Sequence, residues 1–214
     1  MTASLHLSGK KVVLLGAGGH AKVLLDTLYQ QNVSVDAMVD PCLYSKVDYW
    51  NGVAILGDDD YLLNQSPDDY VLVNAVGSLP RSDLRYRLYH KFTSAGFRFL
   101  SVVHPSAIIA TGVALSEDTQ VMAGVVIQPD TQIGHNVILN TGCRIDHDCQ
   151  IGSHVHIAPS ATLCGGVMVD ENVHIGAGAT VIQGIRIGRD SIIGAGSVVV
   201  KDVADFSVVI QRRY

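Results

Sequence analysis

Counting in sixes from Val103, the chain places an aliphatic residue at Val103, Ile109, Leu115, Val121, Ile127, Ile133, Leu139, Ile145, Ile151, Ile157, Leu163, Val169, Ile175, Val181, Ile187, Ile193 and Val199. If about a third of residues are aliphatic, such an unbroken run arises by chance at on the order of one in a hundred million, so the period belongs to the fold. A second register two residues earlier carries small or β-branched side chains, among them Ala107, Val113, Thr119, Val125, Val137, Cys143, Cys149, Val155, Ala161 and Ala179. A period of six is neither the helical period of about 3.6 nor the strand period of 2. It predicts a chain that makes a short strand, turns a corner and repeats, with three strands closing a triangular coil. The large aliphatic side chain points into the prism and the smaller one fills the space beside it. Glycine often follows the aliphatic residue, at Gly134, Gly152, Gly176, Gly188 and Gly194, and is expected to relieve the corner by a positive φ. Coils stack at a strand spacing of about 4.8 Å, so about five coils give a prism roughly 25 Å tall. Each coil buries its face only against its neighbours.

The first hundred residues read differently. KVVLL at 11–15 is a buried strand, Gly16 to Ala21 a turn, and Lys22 to Gln31 a helix. Residues 33–39 form a second strand ending at Asp40-Pro41, and residues 70–76 (YVLVNAV) another. Arg81 to Gly96 is helical and leads into a strand, FRFLSVV. Strands alternating with helices predict a small parallel, Rossmann-like α/β sheet. The period changes near His104-Pro105, which divides the chain into domains 1–102 and 103–214.

Composition narrows the function. Over 214 residues, 48% hydrophobic and 16% charged positions describe a packed globular protein, and a net charge of −5 argues against a nucleic-acid binder. The apolar run near the N-terminus is short and enters a glycine turn, so no signal peptide is expected, and no stretch is long enough for a membrane span. The expected location is cytoplasmic. Cys42, Cys143, Cys149 and Cys164 form no CxxC pair and read as small buried hydrophobes.

Four features carry candidate chemistry. Gly16-x-Gly18-x-x-Ala21 follows a strand and opens a helix, the setting of a phosphate-cradling turn, and Asp40 at the end of the next strand is placed to accept from a ribose or base. The alternative is a plain tight turn, and the domain is too short for a hydride-transfer dinucleotide fold. Asp146-His147-Asp148 follows the inward Ile145, so His147 can face outward with either carboxylate as its orienting partner, as a general base requires. The alternative is a solvated polar turn. His154 and His156 are expected on one side of a strand, with His174 stacked over His156; His135 reads as plain surface. These histidines raise a zinc alternative, but no cysteine or glutamate completes a ligand set and no metal is assigned. Gly165 in Cys164-Gly165-Gly166 lies 18 residues past His147, directly above it, with a backbone N–H placed for an oxyanion.

On these residues the chain resembles the bacterial sugar acyltransferases typified by PglD and NeuD. The resemblance rests on GAGGHAKVLLDTL at 16–28, Val39-Asp40-Pro41, Asn74-Ala75-Val76-Gly77, His104-Pro105-Ser106-Ala107 and LNTGCRIDHDCQIGSHVHIAPSATLCGGV at 139–167. It implies a nucleotide-sugar-binding domain followed by a left-handed parallel β-helix, and a homotrimer with active sites between subunits. The implied reaction is transfer of acetyl from acetyl-CoA to the 4-amino group of a UDP-linked sugar of the bacillosamine kind, for surface glycan or glycoprotein synthesis. Sialic acid O-acetylation is the alternative within the family. A metal-dependent lyase or a non-catalytic scaffold is the alternative outside it. The resemblance makes His147 the base and Asp148 its orienting acid, where PglD-like proteins carry Glu. It places Asn140 near the base, His156 beside the thioester, Gly165 as donor to its carbonyl, and Gly18, Gly19, His20, Asp40 and Gly77 at the nucleotide-sugar end. Members usually finish their coils with a Gly-x-Pro-Ala segment holding the CoA adenine end. Here the sequence closes VVIQRRY, so Lys201, Arg212 and Arg213 are the residues expected to meet the CoA phosphates.

Overall fold

The computed structural model describes residues 9–210. Arg212 and Arg213 lie outside them. The chain divides into two compact units between Val102 and Val103.

The first unit is built on a five-stranded sheet. Its strands are β1 (Lys11–Leu15), β2 (Ala37–Val39), β3 (Tyr49–Trp50), β4 (Val53–Gly57) and β5 (Tyr70–Asn74), in the order β3-β4-β2-β1-β5. β2, β1 and β5 run parallel, with Leu15 paired to both Val39 and Asn74. Helix α1 (Gly19–Gln30) buries Ala21, Leu24, Leu25 and Leu28, the one-face spacing of an amphipathic helix. Two more helices follow, α2 (Asp59–Leu63) and α3 (Leu84–Ser94).

The sheet was expected, but its edge was not. β3 pairs antiparallel with β4, and the two join through Asn51 and Gly52 at φ 45° and 80°. That is the left-handed pair a two-residue Asn-Gly hairpin needs. α2 starts from Asp58, whose side chain accepts from the backbone N–H groups of Asp60 and Tyr61. The expected strand over 33–39 keeps only its last three residues. The expected strand over 97–103 is split: Phe99 bridges to Leu72, while Val102 and Val103 pair with Gln120 and Val121.

The second unit is a parallel β-helix. Two-residue strands stack 18 residues apart in three sheets of seven, six and five strands. The aliphatic register forms continuous inward columns, such as Ile127–Ile145–Leu163–Val181, with Val125, Cys143, Ala161 and Ala179 beside them, all fully buried. The last coil is shorter: Ile193 pairs with Val209 and Ile187 with Val203, each 16 residues on.

The corners correct one expectation. Every sixth residue from Gly112 to Gly196 has a positive φ, and these are mostly Gly, Asp and Asn, the types that tolerate the left-handed region. They sit three residues past the aliphatic position, not one. The glycines one past it are needed for space: a Cβ on Gly134 would lie 2.7 Å from the backbone N of Ser153, and one on Gly152 2.9 Å from the Asp170 carbonyl carbon. The expected burial of cysteine holds for Cys143 and Cys149, whereas Cys42 is exposed and Cys164 half-buried, because neither sits in the inward registers.

Candidate active site

His147 stands on the corner between the six- and five-stranded sheets, two residues past the buried Ile145. Its side chain is 60% exposed. Asp148 takes the left-handed corner conformation, φ 59°, and its Oδ2 lies 2.7 Å from His147 Nδ1. A carboxylate only accepts, so the ring proton sits on Nδ1 and Nε2 presents its lone pair. Asp146 does a different job: its Oδ1 accepts from the backbone N–H of His147 at 2.8 Å. The hydrogen bond that Asp148 accepts, and then the charge of Asp146, hold the imidazole above the usual histidine pKa.

Gly165 lies on the next coil against this ring. The N–H of Gly166 donates to the His147 carbonyl at 2.9 Å, which locks the two coils in register. A Cβ on Gly165 would come within 2.7 Å of both Cε1 and Nε2 of His147. Glycine therefore makes the room the basic edge of the ring occupies. The Gly165 carbonyl is taken by Gly184, while its N–H makes no hydrogen bond to a described residue. A lone pair beside an open N–H suits proton transfer at a carbonyl centre carrying developing charge.

A second cluster sits at the other edge of the six-stranded sheet. Asn140 Oδ1 accepts from the Thr141 N–H at 2.8 Å, which makes its other terminus the amide NH2; that group donates to His156 Nε2 at 3.2 Å. His156 pairs with His174 on the next coil, their rings edge to face at 4.8 Å. Burial pushes the His174 pKa down. Within one chain Asn140 thus partners His156 and not His147. From position 141 to position 147 the chain crosses a strand, roughly 15–20 Å at the strand rise. His154 corrects an expectation: it occupies a left-handed corner at φ 62°, off the strand that carries His156. It bonds Asn136, while His135 meets Asp118 at 3.2 Å and is not plain surface. Among the described residues no group of three or more His, Cys, Asp or Glu converges to hold a metal ion. Lys201 is exposed in the turn after Val198–Val199.

In the first unit, Gly16 takes φ 94° and Gly18 caps α1 without a side chain. Added Cβ atoms on Gly18 or Gly19 would meet nothing within 4 Å, so the turn lies open. Gly77 comes against His20, where an added Cβ would be 3.5 Å from the His20 Cβ. Asp40 Oδ2 accepts from the Ala17 N–H at 2.9 Å, and Oδ1 from Cys42 and Leu43 at 2.8 and 3.0 Å. Through these three hydrogen bonds its carboxylate shapes the turn. Sequence reasoning missed one residue here, Arg85, which nothing in its helical setting distinguishes from a surface arginine.

Comparison with known proteins accords with both units. Residues 11–92 match the PglD N-terminal domain model, and 130–165, 148–183 and 166–201 match the bacterial transferase hexapeptide model (six repeats). PerB from Caulobacter crescentus, solved with CoA and GDP-perosamine, is 40% identical over 91% of both chains, with a TM-score of 0.83. The acetyltransferase domain of PglB from Neisseria gonorrhoeae, solved with acetyl coenzyme A, is 29% identical over 94% of this chain and 95% of that one, TM-score 0.84. WeeI from Acinetobacter baumannii is 25% identical over 94% and 97%, TM-score 0.84. No helix among the described residues is long and apolar enough to cross a membrane. An N-terminal α/β sheet, hexapeptide coils with a left-handed turn and a relative of this identity over nine-tenths of both chains converge: the chain belongs to the PglD-type family of acetyl-CoA-dependent sugar acetyltransferases.

Proposed function

We propose that this enzyme acetylates the 4-amino group of a nucleotide-linked sugar, with His147 as general base. The observation that carries the reading is the His147–Asp148 pair, its Nε2 held against a residue that has no side chain. The amine nitrogen attacks the thioester carbonyl carbon, the carbon–sulfur bond breaks, and the proton lost by the amine passes through Nε2 to the departing thiolate. Asp148 keeps the Nδ1 proton in place and offsets the imidazolium charge. The Gly165 N–H stabilises the oxyanion. The open Gly165 N–H beside the His147 ring fits the thioester carbonyl of acetyl-CoA as second substrate. Lys201 is assigned to the CoA phosphates, and Gly18, Gly19, His20, Asp40 and Gly77 to the nucleotide sugar.

Two considerations refine this. The similarity to a protein solved with GDP-perosamine favours a GDP-linked acceptor over the UDP-linked one that the sequence implied. The site is shared between subunits of a homotrimer, because Asn140 and His156 stand at one edge of the six-stranded sheet and His147 at the other. One thioester cannot touch both within a chain.

The test follows thiol release from acetyl-CoA with GDP-perosamine, a UDP-linked 4-amino sugar, and free and CMP-linked sialic acid. Turnover with a 4-amino nucleotide sugar supports the reading and names the nucleotide. Turnover with sialic acid alone replaces it with O-acetylation. His147→Ala should lower kcat by about two to four decades; a variant that keeps its rate removes His147 from the mechanism.

A further inference from the structure

Arg85 lies in the first turn of α3 and is 5% exposed. Its Nη1 donates to the carbonyls of Asn74 at 2.7 Å and Val76 at 2.8 Å, and Asn74 Nδ2 donates back to the Arg85 carbonyl at 3.1 Å. These carbonyls belong to the segment leaving the C-terminal end of β5. That is the sheet edge where open α/β folds bind ligands. Asn74 still pairs with Leu15 of β1, and the Ala75 N–H still donates to the Leu15 carbonyl at 2.9 Å. Beyond that point the ladder stops, and the Val76 carbonyl depends on the guanidinium.

The pinned segment faces the glycine turn. An added Cβ on Gly16 would lie 3.0 Å from Val76 Cγ2, and Gly77 comes up against His20. Val76 and Gly77 therefore form one wall of the open turn that begins α1. Nη1 carries two N–H donors fixed in the guanidinium plane, one for each carbonyl. A lysine stem is one bond shorter, so its ammonium nitrogen stops short of the position Nη1 holds.

We propose that Arg85 is a positioning residue for nucleotide-sugar binding: from inside the fold it clamps the Asn74 and Val76 carbonyls and so holds Val76 and Gly77 against the Gly16–His20 turn. The inference rests on the reading of that turn as the nucleotide end. Arg85 does not touch the nucleotide. It fixes the wall, so its loss weakens the nucleotide sugar selectively and leaves the acetyl-CoA side alone.

The experiment uses the full chain and two variants. Arg85→Lys keeps the charge and loses the double clamp. Val76→Gly keeps Arg85 and both carbonyls and removes only the side chain packed on Gly16. Binding of GDP and of UDP is measured by calorimetry, kinetics with the acceptor found above, and folding by circular dichroism. Each variant should weaken nucleoside diphosphate binding and raise the nucleotide-sugar KM by about tenfold, the effect of losing one charge-assisted hydrogen bond or a preorganised wall. The KM for acetyl-CoA should stay within about twofold. Unchanged nucleotide binding in folded Arg85→Lys overturns the assignment. An equal rise in both KM values also overturns it, since that marks a general loss of structure. If the unmodified protein binds neither GDP nor UDP, the nucleotide reading of the turn falls, and this inference with it.

Discussion

Replacing Gly165 by alanine tests the base more sharply than removing His147. The added Cβ would sit 2.7 Å from Cε1 and Nε2 of the ring, whereas carbon contacts settle at about 3.5–4.0 Å. The ring must retreat by roughly 1 Å. Gly165 does not have a positive φ, so the backbone accepts alanine, and the obstructing group is the end of an exposed side chain. Retreat is therefore cheap: stability should change by no more than about 0.5 kcal/mol. The chemistry should not be so tolerant. A misplacement of about 1 Å costs on the order of 100-fold, or about 2.7 kcal/mol of barrier. Alanine also keeps the backbone N–H, so the loss measures ring position and not the oxyanion donor. The assay is thiol release at saturating acetyl-CoA and acceptor, with thermal melting in parallel. A melting point near that of the unmodified protein with kcat down about 100-fold is expected. Full kcat with an intact fold would refute the placement of the proton-accepting nitrogen beside Gly165.

Three further outcomes follow from the same geometry. The proposed base His147 must be deprotonated to act, and Asp148 and Asp146 raise its pKa, so kcat/KM should fall on the acid side with an apparent pKa above the ordinary value of about 6.5; Asp148→Asn should move that limb to lower pH while lowering the plateau, and a limb that stays put counts against the pair. Ile145 is fully buried in the inward column, so Ile145→Ala should cost about 2–5 kcal/mol in urea unfolding, and a cost under about 1 kcal/mol would contradict that packing. Burial raises the Cys143 thiol to about 12 and the Cys149 thiol to about 11, so a disulfide reagent at mild alkaline pH should label exposed Cys42 in the native protein and reach those two only on unfolding.

The β-helix was legible because one constraint repeats: each six-residue unit must put Val, Ile or Leu inward, and no unit from Val103 to Val199 fails. The corners were less legible, because glycine answers two different needs. Gly142 takes a positive φ that asparagine or aspartate also tolerates, whereas Gly152 has no room for a Cβ under the next coil. The sequence alone does not say which need applies. The run of Asp130, Asn136, Gly142 and Asp148, three past each aliphatic residue, was the available signal. The Asn51-Gly52 hairpin was readable in the same way, but its strands are too short to announce themselves by alternation. Arg85 and the Asn140–His156 pair were beyond reach, since both depend on which carbonyl or ring lies opposite.

The corner rule also explains how the site is made. A histidine two residues past an inward isoleucine is followed by the left-handed corner residue, so its neighbour must be a type that accepts positive φ. Aspartate does so more readily than longer or branched acids. In that conformation its carboxylate folds back onto the preceding ring and reaches Nδ1 at 2.7 Å. Aspartate is thus long enough at this position, because the backbone turn brings its carboxylate to the ring. The same residue closes the coil and orients the base, so the geometry of the pair is fixed by the stacking of the coils and not by a flexible loop. This ties the pH dependence of the reaction to the integrity of one corner of the prism.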